Sequence, residues 1–140
     1  MTATEIRNAS PDDADALLDL WRRAGSEPSV GEDQTSIFRL LERAPDGVLI
    51  AEIDHAIVGS LIAVWDGWRG NLYRLAVLPE HRRQGVARAL LAEGDRRLRA
   101  HGARRVTALV MHEHDWAVQF WQATDYELDE RIIRYVGTLT

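Results

Sequence analysis

The stretch from Asn71 to Gly102, N-L-Y-R-L-A-V-L-P-E-H-R-R-Q-G-V-A-R-A-L-L-A-E-G-D-R-R-L-R-A-H-G, constrains this chain more than any other. It reads as a buried strand from Asn71 to Leu78, a tight basic connection carrying Arg82, Arg83, Gln84 and Gly85, and a helix that stops at Gly102. A strand feeding a glycine-containing turn at a helix N-terminus makes an anion site, because free backbone N–H groups and the positive end of the helix dipole converge there. The stretch therefore points to a phosphate-bearing ligand.

The remainder of the chain limits what can surround this unit. At 140 residues the length suits one domain, residues 1–140, with a real core. Hydrophobic residues make up 46% and charged residues 28%, which is globular rather than disordered. No apolar run is long enough to span a bilayer, and Met1 to Glu5 have neither the basic nor the apolar segment of a signal peptide, so the expectation is a cytoplasmic protein with no membrane partner. There is no cysteine, which excludes disulfides, a thiol nucleophile and cysteine-based metal sites. A net charge of −5 argues against nucleic acid as the main partner, although the connection around Arg82 is locally basic. All 17 basic residues are arginine, which we read as codon bias.

Taken in order, a short strand at about Glu5 to Ala9 precedes Ser10-Pro11-Asp12-Asp13, an N-cap, a first-turn proline and two acids against the dipole. Ala14, Leu17, Leu18 and Trp21 recur at helical spacing up to Gly25. A polar, turn-rich segment holds Glu27, Glu32 and Asp33, and a second helix over Thr35 to Arg43 buries Ile37, Leu40 and Leu41. Strands Val48 to Ile53 and Ala56 to Trp65 meet at Asp54-His55 as a hairpin, and Asp66 to Gly70 makes a second reversal, giving an antiparallel meander. After the organising helix, a strand from Val106 to Met111 is expected to run parallel to the organising strand. A last helix from Asp115 to Ala123 is followed by Tyr126 to Leu128 and Ile132 to Val136, read as a closing hairpin that could also pair between subunits.

These residues resemble the GNAT superfamily of acyl-CoA-dependent N-acyltransferases, in its small single-domain bacterial form. Arg82-x-x-Gly85-x-Ala87 matches the family's Q/R-x-x-G-x-G/A motif. Leu75-Ala76-Val77 precedes it at the usual distance, Pro79 lies between, and Ala117-x-x-Phe120-Trp121-x-x-x-Asp125-Tyr126 is similar to the downstream A-x-x-F-Y-x-x-x-G-F signature. The likeness covers nearly the whole chain. It implies an α+β (mixed α/β) fold: a mostly antiparallel mixed sheet of about seven strands with about four helices, splayed between the fourth and fifth strands. The implied cosubstrate is acetyl-CoA, with no metal.

The chemistry suits these residue types. Backbone amides from Arg83 through Gln84, Gly85, Val86 and Ala87 to Arg88 would hold the coenzyme A pyrophosphate, Gly85 and Ala87 being small enough for close approach. Arg82, Arg83 and Arg88 can add charge-assisted contacts. The resemblance implies that pantetheine pairs with the backbone around Leu75, Ala76 and Val77, which needs an exposed main-chain edge, and that the same backbone polarises the thioester carbonyl.

The proton-transfer positions depart from the family pattern. Where members often have a strand glutamate, this chain has Asn71 or, on the next strand, Leu109; the usual tyrosine acid is Trp121, and the cofactor-touching asparagine is His114. Aminolysis needs a neutral amine, so His112, at the end of the parallel strand, and Tyr73, on the parity of Asn71, are the candidate catalytic residues. Each could equally be a surface or packing residue. Glu27, Glu32 and Asp33 fall where the family's first-helix loop lines the acceptor cleft; a solvated loop is the plain alternative. Trp65, Trp68, Trp116 and Trp121 could wall an acceptor pocket or serve packing. His112-x-His114-Asp115 lacks a third ligand and is not read as a metal site. Two functions fit: N-acetyl transfer to a primary amine of a small molecule or peptide, by a monomer or homodimer, and a non-catalytic acyl-CoA-binding module.

Overall fold

The structure is a computed structural model that describes residues 3–25 and 29–139. They fall into two compact units that divide between Leu109 and Val110.

The first unit holds a five-stranded sheet in sequence order: β1 (Glu5–Asn8), β2 (Val48–Ile53), β3 (Ala56–Trp65), β4 (Gly70–Val77) and β5 (Val106–Ala108). The first four pair antiparallel, and β5 runs parallel to β4, so the expected meander with a parallel neighbour is present. The β2–β3 hairpin turns at Asp54 and His55, whose φ angles of 51° and 64° match the right-handed twist of the flanking strands.

Each face of the sheet is covered. Helix α1 (Ala14–Arg23) and helix α2 (Gln34–Arg43) bury Leu17, Leu20, Trp21, Ile37 and Leu41 in one cluster with Val48, Ile50, Ile62 and Ala76 of the sheet. Each fully buried side chain of this size contributes about 1.5–3 kcal/mol. Helix α3 (Val86–His101) covers the other face. Its Gly94 lies against Leu61, Ala63 and Leu72, and Val86 and Leu90 lie against Gly59. The helix ends at Gly102, as its sequence indicates, with the Gly102 and Ala103 amides returning to the carbonyls of Arg99 and Leu98.

The sheet differs from the expected size. Among the described residues it has five strands rather than about seven, β5 ends at Ala108 rather than Met111, and 126–139 contains turns without a strand. The tail shows why: Leu128, Ile132, Ile133, Tyr135 and Val136 are all exposed, and β-favouring residues become a strand only where a ladder and an apolar cover receive them. The second unit contains helix α4 (Asp115–Gln122), with Trp121 packed edge-on against Phe120 and Tyr126 at centroid distances of 5.4 and 4.9 Å.

Candidate active site

The site begins where β4 loses its neighbour. Gly70, Asn71 and Leu72 pair with Val106, Thr107 and Ala108 of β5, and the Leu109 amide donates a last bond to the Leu72 carbonyl at 3.3 Å. Beyond Leu72, β4 has no β5 partner among the described residues. One backbone edge of Tyr73 to Val77 is therefore left without a ladder, as a strand-like ligand requires.

That edge is also kinked. Ser60 pairs with Ala76 and Ile62 with Tyr73, so Leu61 of β3 stands opposite both Arg74 and Leu75. The extra residue makes a β-bulge, and Arg74 takes a left-handed φ of 52°. Tyr73, opposite Ile62, stands just before the bulge on the α1–α2 face of the sheet and is 37% exposed.

The strand then enters the connection to α3. Arg83 and Gly85 have φ angles of 62° and 86°, and Gly85 is the N-cap. The helix's first hydrogen bond runs from the Ala89 amide to the Gly85 carbonyl at 3.0 Å. Among the described residues, the amides from Arg83 to Arg88 donate no hydrogen bond. No acid lies in the helix's first turn, and a Cβ on Gly85 would meet nothing within 4 Å. Open space above orphan donors at the positive end of a 16-residue helix fits a pyrophosphate.

The arginines of the motif divide. Arg83 and Arg88 are exposed, as are Gln84, whose amide donates to the Glu80 carbonyl at 3.3 Å, and Gly85. Arg82 turns inward instead: its Nε donates to the Val77 carbonyl at 3.0 Å and a terminal NH2 to the Ala24 carbonyl at 3.1 Å. It ties the connection to β4 and to the end of α1. The Val86 side chain is buried against Gly59, so only its amide is placed for a ligand.

The residues read as acceptor-cleft acids are largely engaged. Glu27 lies outside the described residues. Asp33 is the N-cap of α2 and accepts from the Ser36 amide at 2.8 Å. Glu32 binds Arg74: Nε donates to Oε2 at 2.5 Å, and a terminal NH2 donates to Oε1. Oε1 also accepts from the Ser29 amide at 2.8 Å. Burial alone would raise the Glu32 carboxyl; hydrogen bonds from Arg74 and Ser29, with the charge of Arg74, outweigh it and bring the pKa down to about 2.

Asn71 is occupied as well. Its side-chain amide donates to Asp66 Oδ2 at 3.1 Å and to the Arg69 carbonyl at 3.3 Å, closing the β3–β4 turn. Trp68, on that turn, is 70% exposed, with the Arg69 guanidinium 4.0 Å from its ring centroid. On the second unit, His112 is exposed in a turn beyond the end of β5, while His114 is the N-cap of α4. Two participants escaped the sequence reading: Arg74, whose only signal is a charge in the apolar run Leu72 to Leu78, and Ser60, fully buried in β3.

The sequence model of the acetyltransferase (GNAT) family matches residues 14–126. The chain belongs to this family. An acetyltransferase of Pectobacterium atrosepticum is 33% identical over 123 residues, covering 88% of this chain and 87% of its own. One from Sodalis glossinidius is 30% identical over 129 residues, covering 92% and 91%. Among solved structures, the PaiA N-acetyltransferase of Thermoplasma acidophilum in complex with coenzyme A superposes with a TM-score of 0.81 at 16% identity, over 91% of this chain and 92% of that one. An aminoglycoside N-acetyltransferase in complex with CoA gives 0.75 at 21% identity, over 99% and 97%. These structural likenesses establish the fold. As a member of this family the chain is an acetyl-CoA-dependent N-acetyltransferase. Among the described residues, no helix is long and apolar enough to cross a membrane, and no group of three His, Asp or Glu could hold a metal ion.

Proposed function

We propose that residues 1–140 act as a single domain that transfers the acetyl group of acetyl-CoA directly to a primary amine of a small molecule or peptide. The observation that carries this reading is the continuity of β4: its unladdered, bulged edge leads straight into an α3 N-terminus with unbonded amides. In this reading the amides of Arg83 to Arg88 hold the pyrophosphate, with the exposed Arg83 and Arg88 adding charge. The backbone of Leu75, Ala76 and Val77 pairs with pantetheine.

Acetyl-CoA supplies an activated acyl group: a C–N bond to the acceptor forms, the C–S bond breaks, the acceptor nitrogen loses a proton and the sulfur leaves as the coenzyme A thiol. The protein's part is to orient the two reactants and to aim backbone N–H groups at the carbonyl oxygen as charge develops. Tyr73, beside the bulge, is the candidate within the first unit for handling the amine proton. That Asn71 is spent on the turn supports a water-assisted path. An amine acceptor is supported by the fold neighbour named for aminoglycosides.

The test is release of free coenzyme A thiol from acetyl-CoA across a panel of small amines, polyamines and peptides. At least one amine is expected to give turnover. Stabilisation by acetyl-CoA with no thiol released by any amine would replace this reading with a non-catalytic acyl-CoA-binding module.

A further inference from the structure

Arg74 occupies the left-handed region in the middle of a strand, where an L residue is strained and glycine is tolerated freely. Such a conformation persists only where its surroundings over-determine it. Here the surroundings form a closed circuit. The Arg74 guanidinium lies 4.8 Å from the centroid of the Trp21 ring. The Trp21 Nε1–H donates to Ser60 Oγ at 3.0 Å, and the Ser60 hydroxyl donates to the carbonyl oxygen of Arg74 itself at 2.9 Å. Glu32 grips the guanidinium from outside and is itself held by the Ser29 amide at 2.8 Å and hydroxyl at 2.5 Å.

This circuit joins α1, β3, β4 and the segment before α2, all within the first unit. Trp21 and Ser60 are buried, and Arg74 and Glu32 are 17% and 23% exposed at the side chain, so the ion pair is poorly screened and sensitive to the loss of either partner. We infer that Glu32, Arg74, Trp21 and Ser60 form a clamp that sets the β4 bulge, and that Glu32 and Arg74 are positioning residues for acetyl transfer.

The inference rests on the acetyl-transfer reading of the β4 edge. Were Arg74 to relax into an extended conformation, the bulge would be lost, and a one-residue slip turns every following side chain and peptide to the opposite face. The backbone groups of Leu75 and Ala76 would then no longer face the acyl group or the pantetheine arm, whereas the start of α3, seated on Gly59 through Val86 and Leu90, would keep its amides in place for the pyrophosphate. The clamp therefore acts on turnover more than on cofactor capture.

The test compares Glu32→Gln, Arg74→Ala and the double variant with the wild-type protein. Glu32→Gln keeps the shape and removes the charge, so it reports even if Arg74→Ala fails to fold. Each single variant is expected to lower kcat by about tenfold or more while the acetyl-CoA KM rises by a smaller factor, and the double variant to be no slower than the slower single one, as members of one unit behave. A kcat within about twofold of wild type, or multiplicative losses in the double variant, would overturn the clamp. If the wild type turns over no amine, the acetyl-transfer reading itself fails, and amide hydrogen exchange over residues 73–77 decides. Exchange about tenfold faster in Glu32→Gln than in wild type upholds the clamp, and equal exchange overturns it.

Discussion

Gly59 of β3 and Ala76 of β4 approach so closely that a Cβ built on Gly59 would stand 3.0 Å from the Ala76 carbonyl oxygen. The same Cβ would meet Val86 and Leu90 of α3 at 3.1 and 3.2 Å. The glycine thus seats the first turn of α3, with its unbonded amides, directly on the sheet beside the β4 edge.

A side chain at Gly59 has nowhere to go, because one of the atoms it meets is backbone. Gly59→Val is expected to destabilise the protein by about 1–3 kcal/mol, the usual cost of overpacking. Urea unfolding followed by tryptophan fluorescence measures it; a variant as stable as wild type would show that α3 is not packed this tightly.

Glu32 makes stability depend on acid. Its carboxyl is held at about 2 in the folded protein against an ordinary 4.5, so the folded state binds fewer protons than the unfolded one between these values. The stabilisation is complete above about pH 4.5 and is lost as the pH falls towards 2. The stability gap between wild type and Glu32→Gln should accordingly be widest near neutral pH and narrow steadily between pH 4.5 and 2. Unfolding curves at pH 7, 4 and 3 supply the comparison, and a gap that stays constant would remove the carboxylate's charge from the account.

Arg96 and Arg97 both bind Glu93, yet they are not equivalent. Arg96 donates to both Glu93 oxygens at 2.8 and 2.6 Å but is 66% exposed. Arg97 is 16% exposed, donates to Glu93 at 2.7 Å and to the Asp46 carbonyl at 2.9 Å, and also binds the Asn8 side chain. It fastens α3 to the end of β1 and to the turn before β2. Arg96→Ala should leave stability close to that of wild type, as solvated pairs do. Arg97→Ala should cost about 1.5–3 kcal/mol by removing the charge-assisted hydrogen bonds of a guanidinium that is itself largely buried. Chemical unfolding of the two variants side by side gives the ratio; equal losses would contradict the structure.

The contrast between local and distant contacts explains which parts of this molecule could be read from its sequence. The Asp54-His55 turn, the limits of α3 at Gly85 and Gly102, and the β2–β3–β4 meander follow from spacing and backbone preference within a few residues. Arg74 did not reveal itself, because the sign of its φ and its partner Glu32, 42 positions away, are tertiary facts. Glu32 and Asp33 stand in the sequence as cleft acids or as a solvated loop, whereas one binds Arg74 and the other caps a helix. That Asn71 is no base was legible; that it closes a turn was not. The tail from Tyr126 to Val136 has strand-like residues, but propensity alone cannot supply a pairing partner.

The basic connection offers the sharpest separation of structural from binding roles. Arg82 is bonded to the Val77 and Ala24 carbonyls, whereas Arg83 and Arg88 are exposed around the free amides. Arg82→Ala should therefore lower stability by about 1.5–3 kcal/mol. Arg83→Ala and Arg88→Ala should leave stability within about 0.5 kcal/mol but weaken acetyl-CoA binding, with a shallower salt dependence than wild type, because each removes a charge beside the proposed pyrophosphate site. Gly85→Leu should fold at a cost of about 1–2 kcal/mol for its left-handed backbone and lose the thermal shift with acetyl-CoA, since the side chain would fill the space above the amides. Calorimetric titration with acetyl-CoA at two salt concentrations, run beside unfolding curves, resolves all four variants. Wild-type affinity in Gly85→Leu would place the pyrophosphate elsewhere on the molecule.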